Sequence, residues 1–74
     1  MAVMTKRRLI PLNRHPTPAE IRQLREAKGL TREQMAEKIG VQPSTVYGWE
    51  MPSQKRRPSP SHVILLRLLE DESL

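Results

Sequence analysis

The side chains of this sequence that could act chemically are mostly cationic or hydrogen-bonding. Thirteen lysines and arginines stand against eight acidic residues, so the 74 residues carry a formal charge of +5. There is no cysteine and there are two histidines, and no nucleophile–histidine–carboxylate arrangement, metal-ligand spacing or glycine-rich phosphate loop is found. The sequence therefore predicts recognition of a partner, with no enzymatic activity, metal or cofactor.

The positive charge is concentrated in two clusters. The residues between them, 17–50, balance five basic side chains with five acidic ones. The clusters consist of Lys6, Arg7, Arg8 and Arg14, and of Lys55, Arg56 and Arg57. Basic clusters that flank a balanced core indicate a polyanionic partner, whereas a merely solubilising surface is the alternative interpretation.

Two short helices joined by a tight turn are predicted between the clusters. Thr31 and Gln34 have the spacing of a capping box, which marks the start of a helix over 32–39. Gly40 can close that helix in a left-handed conformation, and Pro43 is suited to the first position of the next one, over 43–50. Such a pair suits a helix-turn-helix, whose second helix lies in the major groove of DNA.

The segment resembles the helix-turn-helix domain of the Cro/XRE family of bacterial and phage regulators. The wider resemblance runs from about residue 17 to residue 69. The matching residues are Thr31, Met35, Ala36, Ile39, Gly40, Val41, Ser44, Thr45, Val46, Trp49 and Glu50. The resemblance implies an all-α, lambda-repressor-like domain of four helices that binds double-stranded DNA and regulates transcription.

Base recognition is assigned by this resemblance to the start of the second motif helix. The residues implied to face base edges are Gln42, Pro43, Ser44, Thr45, Tyr47 and Gly48. Pro43 and Gly48 depart from the family, which often has Gln, Arg or Lys at these positions. DNA shape, water and the N-terminal arm would then carry part of the readout. Val46 and Trp49 are expected in the core, and Glu50 in an ion pair with an arginine of the first helix.

Contacts with the DNA backbone are predicted for cationic side chains. Arg32 stands where the family commonly has a phosphate-contacting glutamine, although an ordinary exposed arginine is an equal alternative. Further contacts with DNA phosphates are expected from the loop 51–58 and from the arm. These contacts are expected from Lys55, Arg56 and Arg57, and from Lys6, Arg7 and Arg8. We expect no regular structure in the loop, because it contains two prolines and a serine.

The chain is predicted to comprise an arm (1–16), a DNA-binding domain (17–70) and an acidic tail (71–74). The arm could touch DNA, pair with a partner subunit as a strand through Leu9, Ile10 and Leu12, or remain a solvated tail. A first helix is expected to start with Thr17 as its cap and with Glu20 completing a capping box. The acidic residues from Glu70 onward are expected to mark where the last helix frays.

The last helix, 60–70, is apolar on nearly all sides. Val63, Leu66 and Leu69 can face the core, which leaves Ile64, Leu65 and Leu68 for another surface. We predict a homodimer through those three residues. The alternative is a helix wrapped by the first helix and the arm.

The leading functional prediction is a dimeric, sequence-specific repressor of the phage or compact-operon type, which could regulate its own operon. The alternative is an antitoxin-type protein that neutralises a toxin partner and binds DNA secondarily. No apolar run approaches the roughly 20 residues of a membrane span, and the basic start lacks a signal peptide's apolar region. A cytoplasmic location is therefore expected.

Overall fold

A computed structural model of the chain describes residues 9–72, which form four α-helices around one core. The elements are α1 (Pro18–Ala27), α2 (Arg32–Ile39), α3 (Pro43–Glu50), a 3₁₀ turn (Pro52–Gln54) and α4 (Pro60–Asp71). This part of the chain contains no strand, and none of its helices is long and apolar enough to cross a membrane. The predicted all-α fold is confirmed.

The starts of α1 and α2 are fixed by local hydrogen bonds. The Thr17 hydroxyl accepts the Glu20 N–H at 3.2 Å, and the Glu20 carboxylate accepts the Thr17 N–H at 2.7 Å. Thr31 and Gln34 make the same reciprocal pair at 3.0 and 2.9 Å. Both predicted capping boxes are therefore present, because the residues that form them are only three apart in the chain.

The turn between α2 and α3 depends on a left-handed residue. Gly40 has φ 89° and its N–H donates to the Ala36 carbonyl at 2.7 Å, which closes α2. A side chain would strain this conformation. Pro43 then opens α3 at the predicted residue.

The core is assembled from one face of each helix and from the segment before α1. α3 packs against both α1 and α2, and α2 also contacts α4. The predicted burial of Val46 and Trp49 is confirmed, at 0% and 3% exposure. The clustered residues are Ile10, Ile21, Leu24, Met35, Ala36, Ile39, Val46, Trp49, Leu66 and Leu69.

The segment before α1 differs from the prediction. Ile10 is fully buried, and the N–H groups of Leu9 and Ile10 donate to the Glu70 carboxylate at 2.5 and 2.9 Å. The predictions of a loose arm and of a strand with a partner subunit are therefore wrong for these two residues. Their side chains and N–H groups are used within the domain itself.

Two further predictions at the C-terminal side are corrected. Glu70 is buried at 7% exposure rather than frayed, and α4 continues to Asp71. The Lys28 ammonium donates to the Glu72 carbonyl at 2.9 Å just beyond that helix end. The loop after α3 contains a 3₁₀ turn where no regular structure was expected, because Pro52 is compatible with the first position of such a turn.

Candidate nucleic-acid interface

The outward face of α3 is set by the two side chains that anchor the helix. Val46 and Trp49 point into the core one turn apart, so Ser44 and Tyr47 lie on the side of the helix that faces away from it. The Trp49 indole also packs near His62 of α4, with ring centroids 5.5 Å apart. The interior thus fixes which side of α3 is presented to a partner.

Most of the residues predicted to face base edges lie on this outward side. Thr45 is half-buried and Gly48 is buried. The exposed ones are Gln42, Pro43, Ser44 and Tyr47. Gln42 precedes α3 as its cap residue but its side chain makes no capping hydrogen bond. That amide and the Ser44 hydroxyl are therefore directed outward with their hydrogen-bonding groups available to a ligand.

Gly48 is placed differently from the prediction. It is covered by the side chain of Arg56, and a Cβ built at Gly48 would lie 2.7 Å from Arg56 Cδ. A glycine has no side chain that could contact a base, and here the Arg56 side chain also covers its backbone. The prediction that Gly48 itself contacts bases is not supported by this geometry.

A buried carboxylate joins α1, α2 and α3. Glu50 is 2% exposed and receives two hydrogen bonds from Arg25, from Nε at 2.7 Å and from Nη2 at 3.1 Å. This hydrogen bonding to Glu50 raises the pKa of Arg25 above its ordinary value. Arg25 also donates to the Leu30 carbonyl at 3.1 Å. The predicted ion pair with an arginine of the first helix is confirmed, and it holds α3 against α1.

Arg32 is a second partner of Glu50, which the sequence did not indicate. Its Nε donates to Glu50 at 3.1 Å, and its guanidinium lies over the Tyr47 ring, 5.2 Å from the ring centroid. The Arg32 side chain is still 38% exposed. It therefore orients an exposed aromatic ring of α3 while part of it faces solvent at the start of α2.

The loop cations follow α3 directly. Lys55, Arg56 and Arg57 are all exposed, and Lys55 adopts a left-handed conformation with φ 54° at the end of the 3₁₀ turn. Pro58 is buried, and its carbonyl lies 3.2 Å from His15 Nε2. This contact connects the C-terminal end of the loop with the segment before α1.

The remaining predicted contact residues fall into two groups. Lys6, Arg7 and Arg8 lie outside the described residues. Ile64, Leu65 and Leu68 are 54%, 37% and 57% exposed on α4, while the residues predicted to face the core from the same helix are buried.

Leu12 extends the exposed apolar surface of α4. It is 62% exposed, and it lines a shallow cleft together with Ile64. We call Leu12, Ile64, Leu65 and Leu68 the apolar patch. The place of Leu12 in it could not be predicted, because nothing in the local sequence pattern shows that the segment before α1 runs beside α4.

A metal site is not among the features of this surface. Within residues 9–72, no group of three or more histidine, aspartate or glutamate side chains could hold a metal ion. The polar features of the interface are hydroxyl, amide and cationic groups.

Comparison with known proteins agrees with this arrangement. The profile of the helix-turn-helix family matches residues 21–67. The chain is also similar to the uncharacterized HTH-type transcriptional regulator YobD of Bacillus subtilis (strain 168), with 50% identity over 50 residues. That match covers 68% of this chain and 44% of the relative, so the chain spans less than half of the curated relative's length. No solved structure matches. With a helix-turn-helix profile over most of its length and this relative, the chain belongs to the Cro/XRE-type helix-turn-helix family of DNA-binding transcriptional regulators.

Proposed function

We propose that this protein is a sequence-specific transcriptional repressor that binds as a homodimer to a near-palindromic operator. The observation that carries the proposal is the outward face of α3, which offers hydrogen-bonding groups between cationic side chains. Ser44 and Tyr47 lie on that face, with Arg32 beside Tyr47 and the loop cations following the helix. Binding over a promoter would block RNA polymerase, and the protein's own operon is the first candidate.

Base reading in this proposal belongs to the exposed start of α3. The Gln42 amide matches the edge of adenine, and the hydroxyls of Ser44 and Thr45 can donate to or accept from several bases. Pro43 and Tyr47 supply apolar contact. Ser44→Ala should relax the preference at one or two base pairs, measured by competition between operator variants. A uniform loss on all sequences would instead assign Ser44 to the DNA backbone.

Phosphate binding in this proposal belongs to the cationic residues around α3. These residues are Arg32, Lys55 and Arg57, together with Lys6, Arg7 and Arg8 of the predicted arm. Arg56, which the sequence also predicted as a phosphate contact, differs from them because its stem packs on Gly48. Arg57→Ala should weaken binding on all sequences and reduce the slope of log K against log salt by about 1. An unchanged slope would remove Arg57 from the phosphate contacts.

Dimer formation in this proposal uses the apolar patch. A domain of this size has a small core, so association would add to its stability by mass action. Two copies would place their α3 helices in major grooves about 34 Å apart. Leu68→Glu should convert the dimer to a monomer in sedimentation and lower operator affinity, whereas an unaltered dimer would locate the interface elsewhere.

The direct test is fluorescence anisotropy with DNA from upstream of the protein's own gene. Scrambled DNA of the same composition is the control, and both are titrated over a salt series. We expect a preference of roughly a thousandfold or more for the upstream DNA, with half-site symmetry in footprinting. Weak binding that is equal on both DNAs and disappears with salt would refute regulation of its own operon and would direct the search to a protein partner, as in the antitoxin-type alternative.

A further inference from the structure

The middle of α3 has a glycine whose surface is occupied by a residue from the following loop. Arg56 lays its aliphatic stem on Gly48, and a Cβ built at Gly48 would lie 2.7, 3.5 and 3.6 Å from Arg56 Cδ, Cγ and Cβ. The first distance is shorter than carbon atoms tolerate without a shift. The absence of a side chain at Gly48 is thus what allows Arg56 to lie there.

Helix geometry places this contact on the outward face of α3. Gly48 is four residues after Ser44, so the two positions are on the same side of the helix, one turn apart. Arg56 as a whole remains exposed although its stem is packed. Long cationic side chains commonly pack their methylene groups and leave the charged end in solvent. Arg56 forms no ion pair or hydrogen bond with the described residues.

We propose that Arg56 is a specificity-determining residue, which supplies from the loop the base-reading side chain that Gly48 lacks. This inference rests on the proposed function, in which α3 enters the major groove. The guanidinium is the group best suited to a bidentate contact with O6 and N7 of guanine. The packed stem places Arg56 on the side of α3 that enters the major groove in the proposed function. The three atoms nearest to a Cβ built at Gly48 all belong to Arg56 and none to the neighbouring Arg57.

The test begins with selection from a library of random-sequence DNA duplexes, using the wild type, Arg56→Ala and Arg57→Ala. The two variants lose the same charge from adjacent exposed positions, so Arg57→Ala is the matched control. We expect the wild-type motif to contain a G·C pair whose preference falls roughly 5- to 150-fold in Arg56→Ala. Arg57→Ala should bind more weakly but retain that pair.

A second variant separates positioning from charge. Gly48→Ala keeps Arg56 but places a methyl group where its stem lies, and Gly48 is not one of the glycines with positive φ. Alanine is the better helix former, so the melting temperature should not fall. We expect Gly48→Ala to lose the same G·C preference, and to have no further effect on preference in the Arg56→Ala background.

Chemical substitution of the DNA gives an independent readout. Replacing the selected guanine by 7-deazaguanine removes the N7 acceptor and should weaken binding of the wild type but not of Arg56→Ala. If Arg56→Ala and Gly48→Ala select the wild-type motif unchanged, the role of Arg56 in specificity is refuted, but the proposed repressor function is not. If the wild type itself selects no motif, the proposed function and the inference fall together.

Discussion

Two glutamates are buried among residues 9–72, and the partners that the structure describes for them are different chemical groups. Glu50 is held by the guanidinium groups of Arg25 and Arg32, which lie 25 and 18 residues away within the helix-turn-helix region. Glu70 receives the backbone N–H groups of Leu9 and Ile10, 61 and 60 residues away.

The two sites differ in what is left unpaired when one partner is removed. A buried carboxylate opposite a cation leaves an uncompensated charge when either partner is removed. Removal of a carboxylate that accepts hydrogen bonds from backbone N–H groups leaves only neutral donors unsatisfied. These donors can bond to water again if the segment detaches. The first arrangement positions α3, whereas the second fastens the segment before α1. We therefore expect the two sites to respond differently to mutation.

Glu50→Ala should have the largest effect, about 3–5 kcal/mol in the free energy of unfolding. The reason is that Arg25, whose side chain is 13% exposed, would lose its carboxylate. Urea denaturation measures the change. Arg32→Ala is the control, because it removes a 38% exposed partner and should cost at most about 1 kcal/mol. Equal losses in both variants would contradict a dominant role for the Arg25–Glu50 pair.

Glu70→Ala should have an intermediate effect, about 1–3 kcal/mol, because two backbone N–H groups lose their acceptor. Hydrogen exchange should accelerate at the Leu9 and Ile10 amides while the amides of α3 keep their protection. Glu72→Ala, at an exposed site on the same helix end, should change stability by no more than about 0.5 kcal/mol. Unchanged exchange at Leu9 and Ile10 would show that Glu70 does not fasten this segment.

Glu20 provides a half-buried counterpart with the smallest expected effect. Hydrogen bonding to Arg14 lowers the pKa of Glu20 to about 2 from the ordinary 4.5. A carboxyl whose pKa is depressed in the folded state stabilises the fold above its unfolded pKa, and that contribution is lost as the pH falls toward the folded value. The stabilisation is therefore complete above pH 4.5 and disappears toward pH 2.

The corresponding variant is Glu20→Gln, which should cost about 1 kcal/mol at neutral pH, since the 54% exposed Arg14 is screened by solvent. Thermal unfolding as a function of pH should show the two proteins converging in acid. Glu37→Gln removes the same charge from an exposed position of α2 and is the matched control. A difference between wild type and Glu20→Gln that persists undiminished in acid would contradict a role for the Glu20 charge.

The sequence by itself determined the elements whose signals are local. The bounds of α2 and α3, both capping boxes and the left-handed turn at Gly40 all follow from residues within four positions of one another. The burial of Trp49 follows from helical periodicity. The motif residues were enough to identify the family, and the presence of an arginine in α1 made the ion pair of Glu50 predictable because both partners are charged side chains.

The tertiary structure alone decided the contacts between distant segments. Any residue has a backbone N–H, so no pattern marks Leu9 and Ile10 as partners of Glu70. Likewise, no local signal shows that Arg56 lies on Gly48, because that contact depends on how the 3₁₀ turn returns the chain to α3. Local propensities specify where helices begin and end, whereas the path of the connecting segments is set by packing against a core that exists only once the helices have assembled.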